Sequence, residues 1–471
     1  MRKHPAIIQG GMGIAVSSWK LAKEVSQAGE LGVISGTAID SVIARRLQDG
    51  DLSGDTRRAL SHFPDKSVAE EIIKRFYIQG GKADKRPYVD VPKLIIKPTS
   101  FALHLLIAST FVEIWLAKEA HDGLIGMNIL EKIQLAIPAQ LFGAMLAGVD
   151  YILIGAGIPA QIPRVLNALS QGDPVNMKID VEDTNDKFQI SFNPSCVANV
   201  DYPIKRPDFL AIVSSHALVS YLNKDEETKP DGFVIEYHVA GGHNAPPRGK
   251  SSPDENGEAI YTDLDTPNLE KVIASGSPFW LAGGFGTPEK LKQAQGLGAV
   301  GVQVGSIFAL CNESGFTQEI RHEILNSLAS GQSRVVTDAS ASPTGFPFKV
   351  IQLDETLSES ELFDGRARKC DLGYLRTPFK RENGGIGYRC PGEPIDTFLF
   401  KNGTEVEAQS SKCLCNALMA DIGLGQIRPD GRTELPLITI GSDLEGPMKL
   451  LSRYPDGWSA RQGLDYLRMA Q

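Results

Sequence analysis

The sequence predicts an α/β protein, a (β/α)8 TIM barrel with an insertion between its second and third strands and an extra C-terminal region. Short apolar runs, typically ending in glycine, recur eight times up to about residue 343, and helical segments separate them. Strands alternating with helices imply a parallel sheet buried on both faces. Eight such units favour a closed barrel over an open doubly wound sheet.

The first run, Ala6–Gln9, ends in Gly10-Gly11-Met12-Gly13. A helix is predicted over Trp19–Ala28, with Ser17 or Ser18 as N-cap, Leu21, Val25 and Ala28 on one face, and Gly29 as stop. Leu31–Ser35 is the second run. An amphipathic helix from about Phe101 to Ala120 precedes the third, Leu124–Leu130. Tyr151–Ile154 is the fourth, followed by a helix through Leu169, and Phe209–Val213 is the fifth, followed by a helix around Ala217–Leu222. Phe233–His238, Phe279–Ala282 and Val300–Val304 complete the set. After the seventh, Thr287-Pro288-Glu289 supplies an N-cap, a proline at the first helical position and an acid in the first turn.

Three stretches break the repeat. Residues 45–100 are long, charged and punctuated by Pro and Gly, and could form a cap or lid. Residues 175–192 read as a hairpin: Val175, Met177, Ile179 and Val181 alternate, as do Phe188, Ile190 and Phe192, around the turn Asp183–Asp186. The barrel is thus expected over 1–345, leaving 346–471 as a small domain or a wrapping tail.

Hydrophobic residues make up 42% of the 471 and charged ones 22%, enough apolar chain for a sizeable core. A net charge of −9 argues against nucleic acid or an anionic membrane as partner. Met1-Arg2-Lys3-His4-Pro5 leads straight into a strand, without a leader's apolar stretch. Phe101–Ala117 contains His104 and Glu113 and falls short of the ~20 residues of a membrane span. Six cysteines do not make a disulfide scaffold, and the expected compartment is the cytoplasm.

Active sites of such barrels lie at the C-terminal ends of the strands. Gly283-Gly284-Phe285-Gly286 and Gln303-Val304-Gly305-Ser306 stand there on the seventh and eighth strands. Taken singly, each makes a tight turn; together they occupy the usual phosphate position of this architecture, where glycine exposes backbone N–H groups. The sixth strand ends in Gly241-Gly242-His243. Two glycines let a flat ligand approach the backbone, and the imidazole of His243 is suited to proton transfer near neutral pH.

Gln9-Gly10-Gly11-Met12-Gly13, Ala240-Gly241-Gly242-His243, Ala282-Gly283-Gly284 and Gly301-Val302-Gln303-Val304-Gly305-Ser306 together resemble the nitronate monooxygenase (2-nitropropane dioxygenase) superfamily, which also contains FMN-dependent enoyl reductases. The resemblance spans about residues 5 to 345. It implies FMN in the barrel mouth, with Gly11 and Met12 near the ring, Asn128 on the third strand, and Glu236, Gly241 and Gly242 on the sixth. Gly283, Gly284, Gly305 and Ser306 would hold the phosphate, with Gln303 and Val304 alongside. Position 236 is often glutamine in that superfamily; here it is glutamate.

Val239 stands where many nitronate monooxygenases carry glutamate. Asn244-Ala245-Pro246-Pro247-Arg248-Gly249, Phe111–Glu119, Glu131-Lys132-Ile133-Gln134, and the insertion with Gly80-Gly81-Lys82-Ala83 and Pro87-Tyr88 are similar instead to the trans-acting enoyl reductases of polyketide and polyunsaturated fatty acid synthases. That resemblance implies NAD(P)H as reductant, FMN as carrier, and a small-molecule or carrier-bound enoyl thioester as acceptor, with His243 near the proton donor. The alternatives are a nitronate monooxygenase, in which His243 is a base, and a non-catalytic flavin-binding accessory protein. A homo-oligomeric state stays open.

In the C-terminal region, Cys370, Cys390, Cys413 and Cys415 are candidate ligands for zinc or an iron–sulfur cluster. Their spacing lacks paired C-x2-C knuckles, so four reduced thiols are the equal alternative.

Overall fold

The computed structural model describes residues 4–249 and 252–470; Met1, Arg2 and Lys3, read above as the approach to the first strand, lie outside it. Eight strands close a barrel: β1 Ile7–Gln9, β2 Leu31–Ser35, β3 Ile125–Leu130, β4 Tyr151–Gly155, β5 Asp208–Val213, β6 Gly232–Glu236, β7 Phe279–Ala282 and β8 Gly301–Val304. Neighbours in sequence pair in parallel all the way round, and β1 returns to β8 with Ile8 opposite Gln303 and Gln9 opposite Val304. The fold is the (β/α)8 barrel that the eight runs predict.

Period-two alternation sorts the strand side chains. Ile8, Leu31, Val33, Tyr151, Leu153, Leu210, Val234 and Trp280 form a separate buried cluster, the barrel filling, while Ile7, Ile34, Ile152 and Phe233 join the core shared with the surrounding helices. Trp280 donates its indole N–H to Pro5 O (2.8 Å), satisfying the one polar atom that so large a buried ring carries.

The helices start where the caps direct. Ser18 precedes the helix Trp19–Gln27, and Thr287 caps Pro288–Gly296 through Lys290 N–H (3.3 Å). The helix Ser100–Lys118 is apolar all round and long enough to cross a membrane, yet most of it is buried inside the molecule. It packs against the helix Ile137–Leu146, where a Cβ on Gly143 would meet Ile107 O at 2.4 Å; only glycine permits that approach. Its buried Glu113 accepts Trp19 N–H (2.9 Å) and pairs with Arg46.

The insertion contains the helices Asp55–Leu60 and Lys66–Phe76, which pack on the flank of Ser100–Lys118, followed by a stretch without helix or strand to residue 99. Val175–Ile179 and Phe188–Phe192 form the expected antiparallel hairpin, with Val175 opposite Phe192. It leans on a second hairpin, Thr377–Lys380 with Ile386–Arg389, through ion pairs from Arg389 to Glu182 (2.7 Å) and Asp183 (2.8 Å). The C-terminal region runs back over the barrel. Trp458 is fully buried and donates to Ile307 O (2.9 Å), the helix Ala460–Leu467 packs on Trp19–Gln27, and Arg468 reaches Glu30 (2.9 Å).

Candidate active site

Glycine loops at the C-terminal strand ends need pinning if they are to shape a site. After β1, Ser17 does this: its hydroxyl donates to Gly10 O (2.9 Å) and accepts Met12 N–H (3.0 Å), while Gln9 Nε2 reaches Ser17 Oγ (2.9 Å). Asn128 on β3 donates to Gly11 O (3.2 Å), and a Cβ on Gly11 would fall 2.3 Å from that of Asn128. After β7, Gly283 and Gly284 both have φ of +81°, and a Cβ on Gly283 would meet Tyr237 O at 2.6 Å. Glycine is therefore required by both backbone and space.

These loops surround a cavity of about 230 Å3. Gly11, Met12, Asn128, Glu236, Gly241, Gly242, His243, Gly283, Gly284, Gln303, Val304, Gly305 and Ser306 all line it. The structure thus gathers every barrel residue singled out from the sequence. Residues 45–100 contribute nothing to its wall.

The roof comes from the C-terminal region, which the sequence reading left without a site role beyond its cysteines. Thr439 Oγ1 accepts Gly242 N–H (2.8 Å), Gly441 N–H donates to Ser306 Oγ (3.1 Å), and Ser442 N–H donates to Val239 O (3.0 Å). Leu375, Leu414 and Leu418 add apolar wall, and Asp443 a carboxylate that also accepts Glu445 N–H (3.1 Å). A signal existed: Leu437-Ile438-Thr439-Ile440-Gly441 is an apolar run ending in glycine, like the barrel strands.

Besides Asp443 and Cys415, two titratable groups of the barrel line the cavity. Glu236 is partly buried, and desolvation pushes its carboxyl up to about 8, so it is largely protonated at neutral pH. His243 packs edge-on to Phe348 (4.9 Å), its Nε2 lies 2.6 Å from Ser342 Oγ, and desolvation lowers its imidazole to about 4. The ring is neutral at physiological pH. His238 stacks instead on Tyr261 (4.4 Å), outside the cavity.

The residues fit a flavin mononucleotide. Gln303 Oε1 is buried and has no hydrogen-bond partner among the described residues, so it can accept from a ring N–H. Gly283, Gly284, Gly305 and Ser306 form the cradle at β7 and β8 where a phosphate belongs, and the Ser306 hydroxyl proton remains free for it.

The metal centre expected at Cys370, Cys390, Cys413 and Cys415 is not assembled. Among the described residues, no three His, Cys, Asp or Glu side chains gather as metal ligands would. The thiols lie within one another's electrostatic field, but each is engaged or desolvated separately. Cys413 Sγ accepts from Asn416 (3.5 Å), and burial pushes Cys370 up to about 11 and Cys390 higher. Cys415 alone of the four reaches the cavity wall.

Residues 162–343 match one family model, a segment holding β5 to β8, the glycine pairs Gly241-Gly242 and Gly283-Gly284, and His243. The model is that of nitronate monooxygenase, and it covers about two fifths of the chain. The matched segment holds the later half of the barrel. Comparison with curated proteins returns no match. Among solved structures, FabK from Thermotoga maritima superposes with a TM-score of 0.49 at 17% identity, covering 99% of this chain and 91% of that one. Nitroalkane oxidase from Streptomyces ansochromogenes gives 0.47 at 14%, covering 98% and 94%. The enoyl reductase domain of MlnA, from the macrolactin cluster of Bacillus amyloliquefaciens, gives 0.48 at 11%, covering 98% and 93%. At such identities the likeness is one of shape and carries no reaction across.

Proposed function

We propose that this nitronate monooxygenase-like barrel is an FMN-dependent oxidoreductase that reduces an enoyl thioester at the expense of NAD(P)H. The observation that carries the flavin is the cavity itself: glycine cradle, unpartnered Gln303 oxygen and neutral imidazole on one wall. Bound FMN would supply two-electron transfer between the two substrates.

The chain's own residues bind, orient and move a proton. Gly283, Gly284, Gly305 and Ser306 would hold the phosphate, and the loop after β1 with Asn128 would contact the ring. Glu236, kept protonated by burial, donates a hydrogen bond where glutamine in the superfamily would. Leu375, Leu414 and Leu418 exclude water above the reacting atoms. His243 stands beside the acyl chain to protonate its α-carbon.

The family match favours a second reading, oxidation of an alkyl nitronate with O2, in which His243 accepts the proton. One experiment separates the two. The FMN-loaded protein is reduced anaerobically with NADPH, then mixed in parallel with crotonyl thioester or with O2. Fast reoxidation by the thioester supports the enoyl reductase. In a third arm without NADPH, O2 uptake by the oxidised protein that depends on an added nitro compound supports the oxidase. Flavin bound but inert in every assay would leave an accessory role and remove both.

A further inference from the structure

The imidazole of His243 has a proton-transfer task and an unfavourable place for it. Burial disfavours its charged form, and a bound acyl chain and flavin would close the mouth above it. Something must connect the ring to solvent by another side.

The connection is visible behind it. Ser342 Oγ lies 2.6 Å from His243 Nε2 and 2.8 Å from Thr344 Oγ1, and it also accepts Thr344 N–H (3.2 Å). Ser342 is buried, whereas Thr344 is partly exposed. Thr344 also lines a second cavity, of about 350 Å3, which shares Leu375 with the wall of the first. The charges in that second cavity are largely matched within the protein. Arg389 is paired with Glu182 and Asp183, and Arg376 donates to the carbonyls of Gly373 and Leu94 (both 3.0 Å). A roomy, polar, charge-compensated cavity is a place for water.

We propose that Ser342 and Thr344 form a proton relay that joins His243 to water in this second cavity. The inference rests on His243 being the acid–base group of the reaction above. When the acyl chain has taken up two electrons, the imidazole releases a proton from Nδ1 to the α-carbon while Ser342 gives its hydroxyl proton to Nε2. Thr344 then reprotonates Ser342, and bulk solvent reprotonates Thr344. The net change is one proton from solvent to carbon. The ring passes it by exchanging tautomers, so a full imidazolium never forms in the desolvated site. Water entering the open mouth between turnovers restores the first tautomer. Ser342 and Thr344 are positioning residues, acting only through His243.

The test reads exchange as well as activity. In the FMN-loaded chain labelled with 15N-histidine, with saturated butyryl thioester added to close the mouth, the ring N–H of His243 is identified by its loss in His243→Gln, and its exchange with water is measured. Thr344→Val, which keeps the branched shape and removes the hydroxyl, should slow exchange at least tenfold. Ser342→Ala should slow it similarly and shift the Nε2 resonance, and Thr344→Ser should restore the wild-type rate. Steady-state enoyl reduction should fall in the same order, with the NADPH half-reaction unchanged. Wild-type exchange in both Thr344→Val and Ser342→Ala overturns the relay whatever the reaction is. Slowed exchange in a protein that reduces no enoyl thioester keeps the relay and removes the proposed substrate.

Discussion

Replacing Gly305 by valine tests the cofactor site most directly, because the fold itself has no need of glycine there. Its backbone lies at φ −106° and ψ −68°, open to any residue. A Cβ would meet only Met12, with Sδ at 3.6 Å and Cγ at 4.0 Å, both ordinary contacts. The valine methyls would therefore enter a cavity of about 230 Å3 beside the phosphate cradle. Crowding the ligand costs ~1–3 kcal/mol by analogy with overpacked cores. Losing one charge-assisted hydrogen bond to phosphate adds ~1.5–3 kcal/mol. Together they should weaken FMN by roughly 10²- to 10⁴-fold. The assay is quenching of flavin fluorescence on titrating FMN with apoprotein, beside thermal melts of both apoproteins. The expected result is an unchanged apo Tm and a Kd raised at least ~10²-fold. A Gly305→Val protein that binds FMN as tightly as wild type would refute the placement of the phosphate.

His243→Ala should keep its FMN through gel filtration yet lose ~10²–10⁴-fold in turnover, the usual contribution of an acid–base group; wild-type rates would make His243 a packing residue. Burial raises Glu236 from 4.5 to about 8. Across that window the folded state holds a proton that the unfolded state has lost, so stability falls as pH rises. Glu236→Gln should therefore gain on wild type by up to about 1.4 kcal/mol per pH unit over the window, read from urea unfolding of the apoproteins; a gap that does not change with pH counts against it. Trp458→Ala removes a fully buried ring and its hydrogen bond to Ile307 O (2.9 Å). It should cost ~3–5 kcal/mol in the same unfolding assay, and also lower FMN affinity, because the neighbouring chain roofs the site.

The barrel was legible because its strands are buried on both faces and stop at glycine, so each run announces its own end. Thr287-Pro288 and Gly29 mark helix boundaries by chemistry that acts within one turn. The barrel side of the site was legible for a related reason: Gly11, Gly283 and Gly284 are demanded by close approach or positive φ, and such demands are written in residue identity. The roof was not. Gly441 and Ser442 act mainly through backbone N–H groups, which any residue but proline supplies. Ser342 is one serine among many, meaningful only once the fold sets it beside His243. The cysteines carry no such demand: Cys413 Sγ accepts from its near neighbour Asn416, and no metal site is found among the described residues.

The chain that roofs the cavity lies more than a hundred residues beyond β8, and this limits how such a barrel can be reused. A gene fusion that borrowed only the eight strands and their helices would inherit His243 and the glycine loops, but with Gly242 N–H and Ser306 Oγ missing their partners at Thr439 and Gly441. It would also leave Ile307 O without Trp458 and the helix Trp19–Gln27 without its cover. Strands and roof must therefore travel together as one heritable unit, and a recombination boundary near residue 345 would separate the site from its own wall.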